Sequence, residues 1–207
     1  MIRRPGGRPT AKAAALLETT ILDQATMAFL ADGYATTTIE AIARACGVAK
    51  RTIYVRWRGK AALFRSVLER LMVRWLFSAG EWAEADSLEA ALDDAAGRIL
   101  TVALTPDAVA LHRLLIAESA RFPELPLMMF QAGANEAAAR IGVLLDRAVA
   151  AGRLPVQDTG WAAEQFLHLL LAGPQRRALG LGLPLTENQA EAWRKAAIKM
   201  FLGGIGT

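Results

Sequence analysis

Residues 46–60 read "CGVAKRTIYVRWRGK": Lys50, Arg51, Arg56, Arg58 and Lys60 surround Tyr54 and Trp57, and no acidic residue intervenes. Gly47 stands where a turn between two helices needs a residue tolerant of positive φ. Upstream, "TTTIEAIARA" (36–45) sets Ile39, Ile42 and Ala43 on one helical face. Thr37 and Glu40, three apart, match a capping box that starts this helix. Downstream, a second short helix runs from about Ala49 to about Trp57, and Gly59 ends it. Two short helices joined by such a turn make a helix-turn-helix, whose second helix lies in the DNA major groove. Val48 and Ile53 are placed to pin that helix inward, leaving Lys50, Arg51, Thr52, Tyr54 and Arg56 outside. Lysine and arginine oppose phosphate and donate to guanine, while threonine and tyrosine hydroxyls donate to phosphate oxygens. Lys60 opens the next helix, where free backbone N–H groups favour an anion. Charge and turn alone fit a generic polyanion-binding or interaction module equally well, because a basic run on a helix is ordinarily a solvated face.

The periodicity predicts an all-α chain of about nine helices. Residues 1–9, "MIRRPGGRP", read as a flexible basic arm whose Arg3, Arg4 and Arg8 could follow a DNA backbone, enter the minor groove or merely keep the chain soluble. Helix 1 is expected from Thr10 to Ala31 and helix 4 from Lys60 to Ala79. Further on, Asp86 or Ser87 caps a fifth helix, and Pro106 sits in the first turn of a sixth. Pro123 and Pro126 mark a break before one helix from about Leu127 to Ala151, with room for a bend near Gly133. Pro174 is expected to kink a helix from Trp161 to Leu179, and Thr186 with Gln189 caps the last one. The expected domains are 10–59 for DNA binding and 60–207 for a larger helical domain.

Charge divides the chain the same way. Residues 1–60 carry ten Lys or Arg against four Asp or Glu, and residues 61–207 carry fourteen against sixteen. A basic small half beside a slightly acidic large half points to a polyanion partner for the first. The composition is 54% apolar, yet no uncharged run approaches the roughly 20 residues of a membrane helix. No signal-peptide pattern opens the chain, so a soluble cytoplasmic protein is expected, with excess apolar surface covered by a partner. Cys46, the one cysteine, reads as a small packed residue. No Ser/His/acid or Cys/His set, paired carboxylates, Gly-rich phosphate loop or metal-ligand spacing stands out, so neither an enzyme nor a cofactor is expected.

The stretch "TTTIEAIARACGVAKRTIYVRWRGKAALF" (36–64) resembles the DNA-binding domain of TetR-type, tetracycline-repressor-like transcriptional regulators. Ile42, Ala43, Cys46, Gly47, Val48, Thr52, Ile53, Tyr54, Trp57, Lys60 and Leu63 fall on that pattern without a gap. Ala49 stands where the family usually has serine, and Trp57 where it more often has phenylalanine. The resemblance implies DNA contacts from Thr38, Lys50, Arg51, Thr52, Tyr54 and Lys60. Lys50 and Arg51 would lie nearest the bases, Tyr54, Thr52, Thr38 and Lys60 would mostly hold phosphates, and Trp57 and Ile53 would pack; Arg56 stands where the family often has an aromatic or histidine. "HRLLIAESARFPEL" and "FLHLLLAGPQRRALGLG" look like the AefR-like regulatory domain of the same family.

From that likeness follow a homodimer on a palindromic double-stranded operator, an effector pocket and, as the expected role, repression relieved by a small apolar molecule. Ile141, Leu144, Leu145 and Ala148 form one apolar stripe, and Phe166, Leu169, Leu170 and Gly173 form another at the same spacing. Such stripes suit a four-helix dimer interface, the reading the resemblance favours, with an internal core as the alternative. The pocket candidates are Trp75, Trp82, Leu111, Leu115, Met128 and Met129, with His112 and Glu118 to orient a ligand.

Overall fold

The computed structural model describes residues 11–79, 85–133 and 135–205. Arg3, Arg4, Arg8 and Trp82 therefore lie outside the described residues. Among the described residues every regular element is a helix. They are α1 (Ala11–Asp32), α2 (Ile39–Ala45), α3 (Lys50–Arg56), α4 (Lys60–Ala79) and α5 (Leu88–Ala103). Then come α6 (Pro106–Glu118), α7 (Glu124–Gln131), α8 (Glu136–Ala150), α9 (Thr159–Ala178) and α10 (Glu187–Ile205). The chain divides into two compact units, Met1–Arg70 and Leu71–Thr207.

In the first unit, Ile21, Ala25 and Phe29 of α1 form the buried stripe that its periodicity predicts. Ile39 and Ile42 of α2, Ile53 of α3, and Leu63, Phe64, Val67 and Leu68 of α4 complete this core. Each such fully buried side chain contributes roughly 1.5–3 kcal/mol. Phe29, Tyr34 and Phe64 form an aromatic cluster, with Phe29 and Phe64 edge-on at 4.9 Å. The α2 cap differs from the expected one. Thr38, not Thr37, is the N-cap, and its hydroxyl accepts from Ala41 N at 3.1 Å. Thr37 is buried and donates instead to the carbonyls of Gly33 (2.7 Å) and Ala28 (3.2 Å), tying α2 to the end of α1.

In the second unit α9 packs against α8 and α10, and α5 packs against all three. The core joins Leu92, Ile99, Ile141, Leu145, Phe166, Leu170 and Phe201. The single helix expected over 127–151 is two, because Gly133 at φ 101° breaks it between α7 and α8. Helix α7 starts before the expected position, at Glu124, and Pro126 falls in its first turn, where N–H groups have no intrahelical partner. Ser87 caps α5, Thr105 caps α6 ahead of Pro106, and Asp158 caps α9. Thr186 and Gln189 form the reciprocal box at the start of α10.

Helix α9 runs through Pro174 without a break. A proline has no N–H for the carbonyl four residues before it, here that of Leu170. The indole Nε1 of Trp193 on α10 donates to that carbonyl at 2.9 Å. Gly173 lies directly under the same ring: an added Cβ would sit 2.4 Å from Trp193. Among the described residues no single helix is long and apolar enough to cross a membrane.

Candidate nucleic-acid interface

The turn between α2 and α3 is closed by backbone chemistry. Gly47, at φ 65°, donates to Arg44 O at 3.1 Å, and Val48 donates to Ala43 O at 3.0 Å. This pair of bonds is the Schellman arrangement, and it needs a residue at Gly47 that adopts positive φ without strain. Ala49 then begins α3 with no side-chain cap. Cys46 packs half-buried beside α1, and burial pushes its thiol pKa up.

Ile53 is fully buried and orients α3. Trp57 is also buried, and its indole donates to Ser66 Oγ at 3.0 Å, which ties the end of α3 to α4. With α3 held this way, Lys50, Arg51, Tyr54 and Arg56 are exposed and Thr52 is half-buried. Thr38 is exposed at the start of α2. These groups form one basic, hydroxyl-bearing surface of the first unit.

Two of its cations are already engaged. Lys50 pairs with Glu40 at 3.1 Å. The Glu40 carboxyl pKa is held down first by a bond from its own backbone N–H and then by Lys50. Arg56 pairs with Glu18 of α1. Both pairs are surface-exposed and hence cheap to exchange for phosphate. Lys60 is placed differently: its ammonium donates to the carbonyls of Tyr34 (2.8 Å) and Ala35 (3.2 Å) and lies over the Tyr34 ring. It fastens the α1–α2 turn to α4. Val55, which sequence reasoning passed over, is 80% exposed on the outer side of α3. Its signal in the sequence is a valine two residues from the buried Ile53, on the opposite side of a short helix.

The second unit holds a cavity of about 240 Å³. Met72, Trp75 and Leu76 of α4, Leu111, His112 and Leu115 of α6, and Met129 of α7 are among the residues that line it. The expected Trp75, Leu111, His112, Leu115 and Met129 thus come together. Glu118 and Met128 are not among its walls; Met128 turns into the core at 6% exposure. Glu136, Arg140 and Gln175 do line it, and α8 brings the first two together as an ion pair at 3.1 Å. Sequence reasoning missed them because the apolar stripe of α8 says nothing about what its polar side faces. Burial pushes the pKa of His112 below its ordinary value.

Two family models match the chain. Residues 21–67 match bacterial regulatory proteins of the tetR family, and residues 90–204 match the C-terminal domain of AefR-like transcriptional repressors. The chain belongs to the TetR family of transcriptional regulators. A solved structure of the flavonoid-responsive regulator FrrA is 31% identical with TM-score 0.79, covering 92% of this chain and 97% of that one. A protein assigned to the TetR family from Mesorhizobium loti is 26% identical with TM-score 0.78, covering 94% and 98%. A TetR-family regulator from Pseudomonas syringae pv. tomato is 24% identical with TM-score 0.71, covering 89% and 94%. No curated protein matches the chain.

TetR-family regulators bind DNA and typically form dimers that respond to small molecules. The residues expected at a dimer surface are mostly inside this chain's own core. Ile141, Leu145, Phe166 and Leu170 are 0% exposed and Ala148 is 2% exposed, packed among α5, α8, α9 and α10. Gly173 is covered by Trp193, and Leu144 and Leu169 are half-buried against the same core. The stripes face inward because α5 and α10 cover them. Other sides of the two helices stay open: Ala139, Val143 and Arg147 on α8, and Trp161, Gln165, His168 and Ala172 on α9.

Proposed function

We propose that this TetR-family regulator is a cytoplasmic homodimeric repressor that binds a palindromic operator and is released by a small, largely apolar effector. The observation that carries the DNA half of this reading is α3. Ile53 and Trp57 lock it while Arg51, Tyr54 and the exchangeable cations Lys50 and Arg56 face outward. Residues 10–59 form the reading head, and Thr38, Thr52 and Tyr54 hold phosphates. Residues 60–207 carry effector and dimer surfaces. Two heads related by a two-fold axis would read half-sites about 34–36 Å apart. The second copy would cover the open sides of α8 and α9, where Val143 and Trp161 are 50% and 63% exposed.

The effector reading rests on a cavity whose walls are chiefly apolar, with His112, Glu136, Arg140 and Gln175 as its polar points. Aromatic phenols are the first compounds to screen, given the likeness to a flavonoid-responsive regulator. Helix α4 begins at Lys60, the residue after the reading head, and Met72, Trp75 and Leu76 of the same helix line the cavity. Ligand contacts there would favour a conformer unsuited to the operator, and a coupling of about 1–3 kcal/mol suffices.

The test is fluorescence anisotropy with DNA from the protein's own upstream region, against a scrambled duplex, at two salt concentrations. A Tyr54→Ala variant serves as control. Tight binding of the native duplex alone, lost in the variant, supports the reading. Equal binding of both duplexes that tracks only salt supports a generic polyanion surface. Absence of binding at low salt overturns both.

A further inference from the structure

Helix α3 turns roughly 100° per residue, so Arg51 and Val55 lie about 160° and 200° around the axis from Ile53. Since Ile53 is fully buried, these two residues, one turn apart, form the outermost line of the helix. Thr52, Tyr54 and Arg56 flank this line, and Lys50 leans back to Glu40. Among the described residues Arg51 makes no ion pair, unlike Lys50 and Arg56. Val55 is 80% exposed, and within α3 it is the one exposed aliphatic side chain, among exposed Lys50, Arg51, Tyr54 and Arg56. Valine is also a poor helix former, so its presence at an exposed helical position gains nothing for folding.

In a major groove the outermost line of a recognition helix meets base edges, not phosphates. A free guanidinium there matches the two acceptors of guanine, O6 and N7. An exposed aliphatic group matches only one feature of a base pair, the C5-methyl of thymine. We propose that Arg51 and Val55 together read a guanine and a thymine in each half-site, with Val55 packing on the thymine methyl. Four helical residues rise about 6 Å, so the two bases stand one or two steps apart at a base-pair rise of about 3.4 Å. This assignment rests on the DNA-reading function proposed above and specifies its sequence content.

The experiment begins with selection of duplexes from a random pool by the full chain. The enriched sequence then has each thymine replaced, one at a time, by deoxyuridine, which deletes only the methyl group. One thymine per half-site, one or two steps from a guanine, should show a loss of about fourfold in affinity on replacement, the worth of one buried methyl. Val55→Ala, which improves helix propensity and so should fold, loses the contact in both half-sites; it should bind the thymine duplex about sixteenfold more weakly and be indifferent to deoxyuridine at that position. Arg51→Ala should relax selection at the guanine while leaving the deoxyuridine effect in place. If a sequence is enriched but no single deoxyuridine weakens the parent protein, or if Val55→Ala still responds to it, the assignment to Val55 is overturned and the regulator function stands. If no sequence is enriched, both fall.

Discussion

The Lys60 ammonium donates to the Tyr34 carbonyl at 2.8 Å and stands 4.6 Å from the centre of the Tyr34 ring. It therefore closes the α1–α2 turn from the start of α4, while Tyr34 itself packs on Phe29 and Phe64. A lysine expected only to meet phosphate also fastens the reading head. Lys60→Met keeps the aliphatic stem and removes the bonds, so it should destabilise the first unit by about 2 kcal/mol. Urea unfolding followed in the absence of DNA checks this. A variant that loses DNA affinity at unchanged stability would show that Lys60 acts on phosphate alone.

Helix α3 has no side-chain cap because residue 49 is alanine. The backbone of Ala49 already has the extended geometry of an N-cap, at φ −69° and ψ 142°. Ala49→Ser should therefore gain about 1 kcal/mol and raise the melting temperature of the protein. Calorimetry on the two proteins decides it, and an unchanged or lowered melting temperature would contradict the capping geometry.

The reading head was legible because its determinants are local. Gly47 fixes the turn, Ile42 and Ile53 fix the buried faces, and a gap-free pattern from Ile42 to Leu63 carries the family likeness. The second unit was less legible because an amphipathic stripe states that a helix face is buried, not by what. Ile141 and Phe166 suit a partner or a core equally until α5 and α10 are seen to cover them. Arg140 and Gln175 were invisible as cavity residues for the same reason. Two adjacent threonines can each cap, and only the packing of α1 against α2 turns Thr37 inward.

The joint between α9 and α10 is the place where a small change should cost most. Trp193 satisfies the Leu170 carbonyl that Pro174 leaves open, and Gly173 admits the ring. Trp193→Phe keeps an aromatic ring but removes the donor, and should cost about 1–2 kcal/mol through the unpaired carbonyl. Gly173→Ala places a methyl group inside the ring's position and should cost about 1–3 kcal/mol. The double variant should lose less than the sum, because a smaller ring relieves the clash. Thermal unfolding of the three variants measures the coupling, and strict additivity would show that the two residues act independently.

His112 lies on the cavity wall with its pKa below the ordinary 6.5 because burial disfavours the charged imidazole. The folded protein thus holds fewer protons on this group than the unfolded chain. Stability from this source is level above pH 6.5 and falls as pH drops below it, toward the folded value. An apolar molecule that fills the cavity removes more water from His112 and so favours the neutral form further. Its affinity should decline as pH is lowered from about 7.5 to about 5.5, across the usual histidine range. Titration with the apolar dye N-phenylnaphthylamine, read by dye emission, measures this. His112→Phe should bind the dye with no such decline, since a phenyl ring carries no titratable proton, leaving Glu136 and Arg140 paired as before. A decline of equal size in the variant would show that His112 is not the source of the pH response.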